Sequence, residues 1–277
     1  MTDQAEALRQ LATQVAARDP RQEQRGLIGI VGAQSSIGTT TVAVNLAISL
    51  AHQGWPVTLV DADFHRPAAA RHLGLQPRRG WNEFLVGSKS IREMLQAGPA
   101  GLSVLAGMDP ESTATITPTL VKERLQEQLL SLAESRLVIL DCGNPRDQLP
   151  LLSEVDDLMI VSTPAEDCVL DAYANLKQTI SKPMRAGFWL IINQMLDASE
   201  AWQASQRVSL SCDRFLNLSL HQPNPLPRDG NASEAERAQR PLILHAPSSP
   251  LSRSMEEFAI EYTEVRRAFG RVIPVGV

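Results

Sequence analysis

Five apolar runs constrain this chain more than anything else in it: "GLIGIVG" (26–32), "PVTLVDA" (56–62), "RLVILD" (136–141), "DLMIVST" (157–163) and "GFWLIIN" (187–193). Each is nearly continuous in branched or bulky apolar residues rather than alternating, the pattern of strands covered on both faces. Amphipathic stretches at 40–53, 118–134, 166–181, 199–210 and 250–268 fall among them and read as helices. With further strands expected at "LSVLAG" (102–107) and "FLNLSLH" (215–221), the alternation predicts a doubly wound, mainly parallel α/β domain over residues 26–277.

The first residues stand outside that rhythm. Thr2 can cap a helix from Asp3 to Arg18, closed by Asp19-Pro20, with Ala5, Leu8, Ala12 and Val15 on one face. The expected organisation is therefore a helix at 1–18, a linker at 19–25 and the α/β domain. A helix this short is marginal alone in water and needs a surface to dock on.

A net charge of −5 argues against general nucleic-acid binding. The local basic cluster Arg66, Arg71, Arg78 and Arg79 reads as solvated surface. Cys142, Cys168 and Cys212 have no metal-site spacing and read as buried thiols in a reducing compartment. No signal-peptide core and no apolar run approaching the roughly 20 residues of a membrane span is present, so a soluble, cytoplasmic protein is expected. Met255, Phe258, Ala259, Tyr262, Val265 and Phe269 make a helical stripe on a glutamate-rich segment. Packing on the domain is expected there, with membrane contact weak or absent.

The chemistry concentrates after the first strand. Ala33-Gln34-Ser35-Ser36-Ile37-Gly38-Thr39-Thr40 keeps the spacing of a phosphate-binding loop, G-x-x-x-x-G-K-[ST], with Gly38 and Thr40 in place and Thr39 where the lysine belongs. The plain alternative is a polar turn whose threonines cap the next helix. Against it, Asp63 and Asp141 each end an apolar strand, where a carboxylate can hold Mg²⁺ or orient a water beside a γ-phosphate.

These residues resemble the MinD/ParA family of P-loop ATPases, whose deviant loop reads KGGVGKT[ST]. On that resemblance the signature lysine becomes Gln34, the glycine pair becomes Ser35-Ser36 and the second lysine becomes Thr39. The resemblance implies phosphate contacts at Gly38, Thr39, Thr40 and Thr41, Mg²⁺ at Thr40 and Asp141, and a water-positioning carboxylate at Asp63. It further implies base contacts at Asn193 and at Pro227 and Asp229 of "PLPRDG" (225–230), ATP or ADP as ligand, and a homodimer. Loss of both lysines removes the charge that would neutralise a developing γ-phosphate, so poor hydrolysis is expected.

Within the family, "STPAEDCVLDAYANLK" (162–177) and "NASEAERAQRPLILHAPSSPLSRSM" (231–255) are similar to FlhG proteins, also called FleN or YlxH. "DQAEALR" matches their N-terminal DQAxxLR motif at Asp3, Gln4, Ala5, Leu8 and Arg9. In FlhG proteins this helix docks on the signal-recognition-particle-type GTPase FlhF and its glutamine completes the GTPase site. The resemblance thus implies a regulator of flagellar number or placement with a degenerate nucleotide site. The alternative is an active ATPase that switches between monomer and dimer. "ADFHRPAAARHLGL" (62–75) is also similar to capsule-export tyrosine kinases, but a tyrosine-rich tail is missing.

Overall fold

A computed structural model describes residues 24–76, 84, 86–107, 118–144, 149–180, 184 and 186–269. The expected N-terminal helix, with Asp3, Gln4, Ala5, Leu8 and Arg9, lies outside the described residues, as do Arg78 and Arg79. Among the described residues the eight strands are β1 (Gly26–Gly32), β2 (Val57–Asp61), β3 (Gln96–Ala97), β4 (Ser103–Leu105), β5 (Leu137–Asp141), β6 (Asp157–Ser162), β7 (Gly187–Met195) and β8 (His221–Pro227). They form one sheet in the order β3-β4-β2-β5-β1-β6-β7-β8, parallel except for the short β3–β4 pair. Every residue of β1, β2, β5 and β6 is buried, as the continuous apolar runs required.

The helices are α1 (Thr39–His52), α2 (Ala69–His72), α3 (Ile91–Met94), α4 (Pro118–Ala133), α5 (Leu149–Leu152), α6 (Glu166–Thr179), α7 (Ala198–Leu216), α8 (Gly230–Arg237), α9 (Leu242–His245) and α10 (Pro250–Phe269). Because β1 is followed leftward by β2 while β4, β6 and β7 are followed rightward, right-handed crossovers put α1 on one face and α4, α6 and α7 on the other. The C-terminal helix α10 packs on α1 and β8. Met255, Phe258, Ala259 and Tyr262 of its apolar stripe are buried there and belong to the core. Among the described residues no helix is long and apolar enough to cross a membrane. All three cysteines are free and buried.

The last strand is not where the apolar alternation of "FLNLSLH" put it. The helix α7 carries its buried face, Ala201, Ala204, Ser205, Val208 and Cys212, on to Leu216. It stops only at Asn217, which takes the left-handed conformation (φ 51°, ψ 44°) of a helix C-terminus. The strand is instead "HQPNPLP", with prolines at alternate positions 223, 225 and 227. Proline cannot donate to a ladder, so such a strand suits only an edge. It pairs with β7 alone, continued by the Arg228 N–H to Met195 O at 2.8 Å.

At the other end of the strands, a buried ion pair fastens α10. Arg266 Nη1 lies 2.7 Å from Asp157 Oδ2, which also accepts the Tyr262 hydroxyl at 2.8 Å, while Trp189 Nε1 donates to Oδ1 at 3.1 Å. Arg266 Nη2 donates to the Arg25 carbonyl at the root of β1. The segment preceding residue 25 thus joins the domain at the amino end of β1. The phosphate-type loop leaves its carboxyl end, about 20 Å away for seven extended residues.

Candidate nucleotide site

A parallel sheet offers its ligand crevice at the carboxyl ends of the strands, where order reverses. Here β1 lies between β5 and β6, and a cleft of about 380 Å³ opens above it. Its lining brings together Gln34, Gly38, Thr39, Thr40, Thr41 and Asp63 from the expected set, with Gly143 and Asn144 after β5. Arg66, Arg71, His72 and Glu236 line it as well. Two of the four arginines read as plain surface therefore face this cleft.

The loop keeps its shape without its lysines. Gly38 sits at φ +93°, and a Cβ there would lie 2.4 Å from Asn193 Nδ2. That amide donates to the Ile37 carbonyl at 2.8 Å. Asn193, at 5% exposure, is therefore a brace under the loop and does not line the cleft. From α6, Asn175 Nδ2 donates to the carbonyls of Gly32 (3.2 Å) and Ala33 (3.0 Å). Ser36, where the resembled loop has glycine, is left-handed at φ 64°.

The side chains at the two substituted positions are both engaged within the protein. Gln34 Nε2 donates to Asp167 Oδ2 at 3.1 Å and Asp171 Oδ2 at 2.8 Å, both on α6, and this bond holds the Asp167 carboxyl below its ordinary range. Thr39 is buried with its hydroxyl against Gly32, where a Cβ would stand only 2.3 Å from Oγ1. Thr40 and Thr41 keep partly exposed positions in the first turn of α1, where unpaired backbone N–H groups and the helix dipole favour an anion.

Beneath the loop lie three carboxylates, of which motif spacing singles out two. Asp61 and Asp141 are register partners at the ends of β2 and β5. Asp61 accepts the Ala69 N–H at 2.9 Å, anchoring α2, and Asp63 accepts the N–H groups of His65 (3.1 Å) and Arg66 (2.9 Å). A Cβ on Gly143 (φ +52°) would meet Asp63 Oδ2 at 2.0 Å, so the carboxylate rests on bare backbone. Burial pushes the Asp141 carboxyl up to about 6, opposed by the Thr40 hydroxyl and the Gly143 N–H and reinforced by Asp63. Burial, then Asp141, pushes Asp61 well above the ordinary range. Asp61 escapes the motif reading although "VDAD" places it two residues before Asp63, at the last position of an apolar strand.

Asp141 Oδ2 is buried without a hydrogen-bond partner, and the Thr40 hydroxyl interacts with the same carboxylate. An orphan carboxylate oxygen and a hydroxyl suit a hard divalent cation. Among the described residues no three His, Cys, Asp or Glu side chains converge as a cage. A Mg²⁺ ion would draw its other ligands from phosphate and water. Pro227 and Asp229 do not line the cleft. Asp229 caps α8 through the Asn231 N–H (2.9 Å) and accepts the Leu251 N–H of α10 (3.2 Å).

Residues 24–199 match the model of the ParA family, described as the NUBPL iron-transfer P-loop NTPase. The chain belongs to the ParA family. Among curated ParA-type relatives it is similar to the antiactivator FleN of Pseudomonas aeruginosa, 24% identical with 84% of each chain covered. It is equally similar to the flagellum site-determining protein YlxH of Helicobacter pylori, 24% identical over 84% of this chain and 80% of that one. The expected FleN/YlxH resemblance is thus borne out. Among solved structures, MinD of Pyrococcus horikoshii complexed with Mg-ADP superposes with a TM-score of 0.71 at 18% identity, over 89% of this chain and 99% of that one. That likeness bears out the doubly wound fold.

Proposed function

We propose that this chain is an FlhG-like regulator that acts on an FlhF-type GTPase through its N-terminal DQAxxLR helix and carries a nucleotide cleft that hydrolyses ATP poorly. The observation that carries the second half is the loop: Gln34 is engaged by Asp167 and Asp171, and Thr39 is folded against Gly32. No cation of the loop faces the cleft, and phosphoryl transfer is accelerated above all by neutralising charge on the transferred group. The likeness to YlxH, a flagellum site-determining protein, and to the antiactivator FleN supports the first half.

In this reading Thr40 and Asp141 would hold Mg²⁺, which would supply positive charge to the bound phosphates, and Asp63 would orient water. Thr41 and the N–H groups of the first turn of α1 receive phosphate. Asn193 acts through the loop it braces, with Pro227 and Asp229 on the path to the base. A homodimer and a cytoplasmic, membrane-independent chain without nucleic-acid partners complete the proposal. The test is direct: the purified full-length chain should accelerate GTP hydrolysis by an FlhF-type GTPase with or without ATP, while its own ATP turnover stays at background. ATP turnover of several per minute, lost in Asp63→Ala, would instead establish the alternative of an active ATPase switch.

A further inference from the structure

The cleft that lost its lysines did not lose its cations; they come from the opposite wall. Its loop side supplies neutral donors, the backbone N–H groups, the Gln34 amide and the hydroxyls of Ser35, Ser36, Thr40 and Thr41, beside the Asp63 carboxylate. The other wall supplies Arg66, Arg71 and His72. Burial lowers the proton affinity of His72, leaving Arg66 and Arg71, among the described residues, as the cations of the lining at neutral pH. Their backbones are set by the site's own carboxylates. Asp63 accepts the Arg66 N–H, and Asp61 accepts the Ala69 N–H at the start of the helix that carries Arg71.

We propose that Arg66 and Arg71 are the phosphate-binding cations of this cleft, and that Glu236 is the counter-charge Arg71 gives up when an oligophosphate enters. Arg71 Nη2 meets Glu236 Oε1 at 2.9 Å, with 57% and 44% of the two side chains exposed. A pair so open to water contributes little. A guanidinium on phosphate makes shorter, charge-assisted and often bidentate bonds. The exchange of partner is therefore favourable, and it couples α8, which carries Glu236, to occupancy of the cleft.

The inference rests on the reading of this cleft as a phosphate site, and its test separates the two. Titration calorimetry of the full-length chain at low ionic strength uses two probes, ATP and pyrophosphate. Both should bind, and Arg66→Gln with Arg71→Gln should weaken both by about tenfold or more. Glu236→Gln should tighten both severalfold. Arg237→Gln, an exposed charge change on the same helix outside the lining, should change neither. Unchanged affinity in the double variant, weakening by Glu236→Gln, an equal loss in Arg237→Gln, or no binding of either probe to the parent chain would each overturn the proposal. A tight binder that turned ATP over rapidly would defeat the regulator reading while leaving these cations in place.

Discussion

Gln34 Nε2 reaches Asp171 Oδ2 at 2.8 Å, so the side chain in the signature-lysine position is bound to α6 of its own chain. A lysine placed there would meet the same two carboxylates. Gln34→Lys alone should leave ATP affinity unchanged and move stability by no more than about 0.5 kcal/mol, as exposed ion pairs do. Thr39→Lys, which puts an ammonium at the head of α1, should tighten ATP by about tenfold or more. Calorimetry on both single variants decides it; tightening by Gln34→Lys alone would mean that α6 releases the side chain readily.

The buried carboxylates set the direction of the pH dependence. Asp141 rises from an ordinary 3.8 to about 6, so the folded chain holds this proton more tightly than the unfolded one. Stability from this group is full below pH 4 and is lost as pH rises through 6, a change of roughly 3 kcal/mol. Asp141→Asn should therefore stabilise the chain by about 1–3 kcal/mol at pH 7.5 in urea melts and make no difference near pH 4. Millimolar Mg²⁺ should recover part of that difference in the parent chain and none in the variant.

How far the sequence discloses such a site depends on whether a residue acts through the pattern around it or through a partner far along the chain. Asp141 at the end of β5 and Asp63 just beyond β2 are legible because five continuous apolar runs leave few ways to build a sheet. Loop spacing marked Gly38 and Thr40 in the same way. Asn175 and Asn193 were not legible as braces, since their bonds to residues 32, 33 and 37 span more than 140 positions. The edge strand was misplaced because alternation at 215–221 imitates period two, while helix α7 was already burying period 3.6 through Cys212. Arg66 and Arg71 show the same limit, because a basic cluster looks like surface until a cleft is seen beneath it.

The Arg266–Asp157 pair should dominate the stability of the C-terminal helix. Arg266 is 1% exposed and Asp157 not at all. Arg266→Met would strand a buried carboxylate and should cost about 3–5 kcal/mol. Adding Asp157→Asn should recover part of that, because the amide oxygen still accepts from Tyr262 or Trp189 without a buried charge. A double variant as unstable as the sum of both single ones, in urea denaturation, would contradict this account.

Gly38 and Asn193 should be coupled. Gly38→Ala forces a side chain into a left-handed position and onto Asn193 Nδ2, and should cost about 2 kcal/mol or more. Asn193→Ala frees the Ile37 carbonyl and should cost about 1–2 kcal/mol. Because the second change removes the group that the first one strikes, the double variant should fall short of the sum by at least about 0.5 kcal/mol. Strict additivity in a double-mutant cycle would separate the amide from the loop.

Gln4 carries the sharpest expectation, because its proposed action depends on one carboxamide. The domain is entered at the amino end of β1, the far end from the cleft, so stimulation of an FlhF-type GTPase should survive variants that empty the cleft. A peptide of residues 1–25 should accelerate GTP hydrolysis by the matching GTPase. Gln4→Ala should remove most of the acceleration with little change in affinity, since a contact made mainly in the transition state adds little to ground-state binding. Leu8→Ala should instead weaken docking by roughly 1–3 kcal/mol, the loss of a buried apolar anchor. Single-turnover rates at saturating peptide separate the two effects. A Gln4→Ala peptide as effective as the parent would reduce the helix to a tether and move the search for the activating group onto the α/β domain.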